Sequence, residues 1–128
     1  MAGIHRERPG AAELAAATGE PATPLGADIW MSPGVSNSYA LATDEGRVVI
    51  NGGLFFEGAL RHEAFAAVPG PTRAIVVTQG HADHWGGVHS LRDDGTDVMM
   101  HRNYRYWRDD NNLLMGYRVP KTLSLIHI

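Results

Sequence analysis

A continuous β-branched run, Ala74-Ile75-Val76-Val77-Thr78, constrains this chain more than any other feature. Such a run, with no polar alternation, reads as a strand covered on both faces, which demands layers above and below it. Pro69-Gly70-Pro71 separates it from the segment before, and a glycine-bearing loop over residues 79–87 follows it. Val88 and Leu91 then face inward on a short helix, Asp93-Asp94-Gly95 turns the chain, and residues 97–100 form another strand. A strand, a crossover and a second strand in that order pair in parallel.

The flanking elements are consistent with this unit. Ile29-Trp30-Met31 reads as a short strand ended by Ser32-Pro33-Gly34, and residues 39–42 and 47–50 flank Asp44-Glu45-Gly46 as a hairpin. Asn51-Gly52-Gly53 stops the second hairpin strand. Leu60, Ala64, Phe65 and Val68 lie at helical spacing and predict a helix over 60–68. Residues 102–118 predict a last helix with Tyr104, Trp107, Leu114 and Met115 on one side. The class is α/β with a mixed sheet. Residues 1–26, rich in Ala, Gly, Pro and Thr, read as a flexible leader with one weak helix over 11–18.

Composition narrows the function. At 128 residues the chain holds one domain, and 44% hydrophobic with 20% charged residues is a globular balance. A formal net charge of −3 gives no global field for nucleic acid or anionic membrane. The absence of cysteine removes disulfides, thiolate metal sites and a Cys nucleophile. No apolar run approaches the roughly 20 residues that span a bilayer. The Ala-rich opening is interrupted by Glu13, Gly19 and Pro21, unlike an export signal, so a cytoplasmic location is expected.

The chemistry gathers in Thr78-Gln79-Gly80-His81-Ala82-Asp83-His84-Trp85-Gly86-Gly87. In open α/β sheets, sites collect beyond the carboxyl ends of parallel strands, where this segment is expected. Two imidazoles and a carboxylate within four residues make a nitrogen and oxygen set of the kind zinc favours. A loop lets His81 and His84 splay apart, and Gly86-Gly87 lets the next helix start close to neighbouring backbone. The plain alternative is a polar loop with ordinary hydrogen bonds.

The segment resembles the signature of the metallo-β-lactamase-fold hydrolases, His-x-His-x-Asp-His at the end of a buried strand, followed by Gly-Gly. The resemblance extends over roughly residues 29–118 through Asn37-Ser38-Tyr39, the hairpin and the helix before Pro69. It implies an αββα sandwich with a mixed sheet, of which this chain supplies the amino-terminal half. It also implies two zinc ions, one bound by His81 and the other by Asp83 and His84, with Asp83 also counted as catalytic. A water activated between the ions would attack an ester-like or amide-like bond of a small-molecule substrate. Thr-Gln-Gly-His resembles the alkylsulfatase-like branch, which implies a sulfate ester.

Two positions depart from the family pattern. Gln79 stands where the first His belongs, and a neutral amide is a weaker zinc ligand than imidazole. Asn51 stands where the family carries Asp, removing a carboxylate that would orient ligands. Both are weak ligands at best, or supports behind the ligands. Among the later histidines, His89 is expected to face solvent, His101 could reach the cleft, and His127 falls in a tail that breaks the preceding pattern. The expected organisation is a leader over 1–26, a partial domain over 27–122 and a non-native-looking tail over 123–128. The isolated chain is expected to lack a complete active site.

Other readings compete with this one. Arg102, Tyr104, Arg105, Tyr106, Trp107 and Arg108 alternate basic and aromatic residues as nucleic-acid binders do. Asp109 and Asp110 cancel most of that charge, so the stretch reads as a solvated amphipathic helix and no nucleic-acid or membrane partner is expected. Trp85 divides between pocket wall and packing beneath the loop, while Tyr39, Phe55 and Phe56 read as core or cleft wall. A partner-binding or assembly fragment with a degenerate metal site and an unpaired sheet edge is the competing function. The oligomeric state stays open.

Overall fold

One sheet of six strands runs in sequential order through the computed structural model, which describes residues 15–111 and 113–114. Strands β1 (Thr23–Pro24), β2 (Ile29–Ser32), β3 (Ser38–Thr43) and β4 (Gly46–Ile50) are antiparallel neighbours, with β3 and β4 forming the expected hairpin. Helix α1 (Gly58–Ala64) then carries the chain to β5 (Thr72–Val77), parallel to β4. Two single-turn helices, α2 (Ala82–Trp85) and α3 (Val88–Leu91), lead to β6 (Asp97–Met100), parallel to β5. Helix α4 covers 104–111 and continues at 113–114. The α/β class with a mixed sheet is therefore correct. No helix among the described residues is long and apolar enough to cross a membrane.

The core lies on one face of this sheet. Register aligns Trp30, Ala40, Val49, Ile75 and Val98 across five strands. Ala40, Val49 and Ile75 are buried with Phe65 and Val68 from the α1 segment and Leu91 from α3. Removing those side chains from water is the main stabilising term, about 1.5–3 kcal/mol for each large one. Arg47 ties the layers at the lower end of the sheet: its Nε donates to Thr72 Oγ1 at 3.0 Å and its Nη1 to the Phe65 carbonyl at 2.8 Å.

Several expectations need correction. β5 is covered on one face only: Ile75 and Val77 are buried, whereas Ala74 and Val76 are half-buried. Phe65 and Val68 after α1 and Leu91 of α3 pack on the Ile75 side, so β-branching alone overstated the coverage. The helix expected over 60–68 ends at Ala64, because Phe65 leaves helical geometry at φ −89 and ψ 9. Phe65 and Val68 still reach the core from the following turns. The loop expected over 79–87 contains a helical turn, α2.

At the amino-terminal side, residues 15–18 are not helical, and residues 11–14 of the expected helix lie outside the described residues. Ala17 N–H donates instead to the Glu57 carboxylate at 2.8 Å, and Ala22 N–H to the Ala64 carbonyl at 2.9 Å. With β1 paired to β2, the stretch read as a loose leader is anchored from Ala17 onward. The later part of the last expected helix, 115–118, and the 123–128 tail lie outside the described residues.

Candidate metal centre

The carboxyl end of β5 is fixed by Asn51, which follows β4 directly. Asn51 adopts φ 62, a left-handed conformation Asn tolerates better than most residues, and is 6% exposed. Its Oδ1 accepts from both the backbone N–H and the hydroxyl of Thr78, each at 3.0 Å. Thr78 Oγ1 in turn lies 3.5 Å from His84 Nδ1. Asn51 thus reaches the histidine only through Thr78.

Beyond Thr78 the chain passes through Gln79 and Gly80 to His81, the residue that caps α2 in extended geometry. The turn of α2 puts Asp83 and His84 side by side: Asp83 Oδ2 is 3.3 Å from His84 Nε2. Both side chains remain reachable from solvent, at 29% and 14% exposure respectively. Gln79 bridges the two histidines. Its Nε2 lies 2.6 Å from His84 Nε2, and its Oε1 lies 2.8 Å from His81 Nδ1.

His81 does not join the other two. Its ring packs edge-on against Trp107 of α4, with centroids 4.6 Å apart. Among the described residues no three His, Asp or Glu side chains converge as a metal-binding group. The family resemblance gives His81 to one ion and Asp83 with His84 to another; Asp83 and His84 lie side by side, while His81 stands across Gln79 from them.

Short backbone bonds hold the segment against its neighbours. Gly52 N–H donates to the His84 carbonyl at 2.7 Å, and Gly87 N–H to the Gly53 carbonyl at 2.9 Å. Gly87 lies against Gly52 and Gly58 so closely that a side chain there would strike their backbone atoms. That contact is the close approach expected of Gly86-Gly87.

A cavity of about 250 Å³ opens beside His81, lined by Val77, Gln79, Met100, His101, Tyr104 and Trp107. Burial raises the Tyr104 hydroxyl above its ordinary value, opposed by nearby Arg108. His101 is exposed at this rim, whereas His89 is exposed on α3 with Nδ1 3.2 Å from the Gly86 carbonyl. Trp85 is 36% exposed, donates to the Gly80 carbonyl at 3.0 Å and meets Tyr104 edge-on. It serves the loop and the aromatic wall together. Arg108 pairs with Asp109 at 2.9 Å on the exposed face of α4, the cancellation that argued against a basic surface. Phe55 and Phe56 are 67% and 50% exposed, so neither is core.

Sequence reasoning missed Glu57 and Arg61, which are fully buried behind this segment. Their i,i+4 spacing was visible, but it ordinarily marks a solvent-facing helical pair.

Comparison with known proteins bears on the fold. No curated protein matches the chain. A stereoselective inverting sec-alkylsulfatase from Pseudomonas sp. shares the fold at 21% identity and TM-score 0.63, covering 76% of this chain and 17% of that one. A metallo-beta-lactamase from Hirschia baltica shares it at 19% identity and TM-score 0.58, covering 73% and 49%. One from Pseudomonas aeruginosa, solved in a mono-zinc form, gives 21% identity and TM-score 0.59, covering 72% and 47%. The chain therefore spans about a sixth of the first and about half of the other two. The family model of the metallo-beta-lactamase superfamily matches residues 31–109, from β2 into α4, and the chain belongs to that superfamily.

Proposed function

We propose that this chain carries part of a metal-dependent hydrolase centre in which Asp83 and His84 hold zinc. The observation that carries the reading is their 3.3 Å approach at the carboxyl end of the parallel strands. Two ligands on one tetrahedral zinc, each at about 2.0–2.1 Å, lie about 3.3 Å apart, so this donor pair fits the ion. The Asp83 charge offsets part of the cation's desolvation cost, which a neutral amide does less well. The His81 and Gln79 pair, at hydrogen-bond distance, makes the weaker half of the two-zinc arrangement that the family resemblance implies.

Zinc bound here would supply Lewis acidity and bring the pKa of a water toward about 7, suited to an ester-like or amide-like bond. The protein's own contribution is placement. Gln79 would turn its amide oxygen toward the cation and release His84 Nε2, while Thr78 stays against His84 Nδ1. The neighbouring cavity, with Val77, Met100, Tyr104 and Trp107 on its walls, would receive the apolar part of a small-molecule substrate. Likeness to the alkylsulfatase supports a sulfate ester as the candidate class.

Calorimetric zinc titration of the chain tests the reading. Asp83→Ala and His84→Ala should each weaken binding by at least about tenfold. Equal zinc affinity in parent and both variants would overturn the assignment. The competing function, partner binding through a degenerate centre, is favoured by the open apolar side of the sheet, and it predicts no metal binding at all.

A further inference from the structure

We infer that Ser36, held in place by the buried Arg61–Glu57 pair, is a positioning residue for the Asp83–His84 turn. The inference rests on the proposed role of those two residues as ligands. Arg61 and Glu57 have no exposed side-chain surface, and Arg61 Nη2 lies 3.2 Å from Glu57 Oε2. Glu57 Oε1 accepts from the N–H groups of Ala17 and Val35 at 2.8 and 3.3 Å, and Oε2 from Leu54 N–H at 2.8 Å. Arg61 Nη1 donates to the Ser32 carbonyl at 2.9 Å, and Nη2 donates to the Ser36 carbonyl. The guanidinium therefore pins both sides of the β2–β3 connection. Ser36 completes the path, its hydroxyl donating to the backbone carbonyl of Asp83.

This chain of contacts does more than fill space. Apolar side chains of similar volume fill a core as well as a buried ion pair does, and often more stably. A planar guanidinium can instead aim donors at two carbonyls four residues apart, fixing where the Ser36 hydroxyl points. Gly34 and Gly53 lie bare against the pair, and a Cβ at either would strike Arg61 or Glu57 atoms, so the surrounding loops are shaped around it. The recipient, α2, is one turn long: its Ala82 carbonyl accepts from Gly86 N–H at 2.8 Å, while the carbonyls of Asp83 and His84 accept from outside the helix. Ser36 takes the Asp83 carbonyl and Gly52 the His84 carbonyl. Rotation of the peptide between those carbonyls would carry the Asp83 and His84 side chains apart.

The test compares Ser36→Ala, Ser36→Thr and Ser38→Ala in the 128-residue chain. Ser38 is buried two residues further on, with a hydroxyl lacking a hydrogen-bond partner among the described residues, and serves as the control. Amide hydrogen exchange of the metal-free protein reads the turn directly, and cobalt(II) titration followed by visible absorption reads the ligands. Ser36→Ala should speed exchange at the His84 and Gly86 amides about fivefold to tenfold, the effect of one lost hydrogen bond. Cobalt affinity should fall about tenfold, the low end for losing a group that orients a ligand. Ser36→Thr, which keeps the hydroxyl, should restore both, and Ser38→Ala should change neither.

Exchange at the turn and cobalt affinity both within twofold of the parent in Ser36→Ala would overturn the inference, as would an equal effect of Ser38→Ala. If the parent binds no cobalt while Ser36→Ala still loosens only this turn, the metal reading fails and the positioning of the turn stands.

Discussion

Gln79 holds together His81, at the cap of α2, and His84, within it, and its amide has two opposing effects on a cation. In the metal-free arrangement its Nε2 lies 2.6 Å from His84 Nε2, crowding the ring nitrogen that also faces Asp83 and that a metal needs. Turned over, its oxygen becomes a weak ligand. Each effect is worth about 1 kcal/mol and they have opposite signs, so Gln79→Ala should leave zinc affinity within about threefold of the parent. Gln79→His should tighten binding by restoring an imidazole beside His81. Calorimetric titrations of both variants check this; a tenfold loss on Gln79→Ala would show the amide to be a true ligand. The spacing of His81, Asp83 and His84 made this segment conspicuous in the sequence, because side-chain chemistry is local information. The amide bridge was not legible, since it depends on how far one turn of helix rotates His84 back over Gln79. Asn51 was legible as a departure, but its grip on Thr78 required the parallel pairing of β4 with β5.

At the scale of elements, the Glu57–Arg61 pair decides how α1, the β2–β3 connection and the leader meet. Burial pushes the Glu57 carboxyl up, but N–H groups of Leu54 and Ala17, the Arg61 charge and Val35 N–H together hold it below its ordinary value of 4.5. Burial lowers Arg61, and the Glu57 charge opposes that shift. Because the folded Glu57 value is depressed, its contribution is complete above the unfolded value and is lost as pH falls through the folded one. Asp93, lowered chiefly by Thr72 N–H, acts in the same direction from 3.8 downward. Glu57→Gln should cost about 3–5 kcal/mol at neutral pH by leaving Arg61 unpaired. It should also flatten the acid limb in urea denaturation followed from neutrality down to about pH 3. An acid limb as steep as the parent's would assign that limb to Asp93 and other carboxylates. The hairpin and the parallel unit were readable from turn residues and β-branching. The true ends of α1 and the one-turn α2 were not, because bonds from distant loops decide where such short helices stop.

Across the whole molecule the two sides of the sheet differ in kind. Register aligns Met31, Tyr39, Ile50, Val76 and Met99 in a second five-strand row, apolar like the first but lying on the opposite face. Ile29 and Met99 are 40% and 49% exposed there, whereas Val49 and Ile75 on the helix-covered side are 0% exposed. The uniform apolarity of β5 made both faces look equally covered from the sequence; only the placement of the helices distinguishes them. Stability should follow exposure rather than hydrophobicity. Ile75→Ala, which opens a cavity in close packing, should cost about 2–5 kcal/mol. Met99→Ala, which removes a side chain already half in water, should stay within about 1 kcal/mol of the parent. Urea denaturation of both variants measures the contrast, and a Met99→Ala cost equal to that of Ile75→Ala would mean that this side of the sheet is covered in solution.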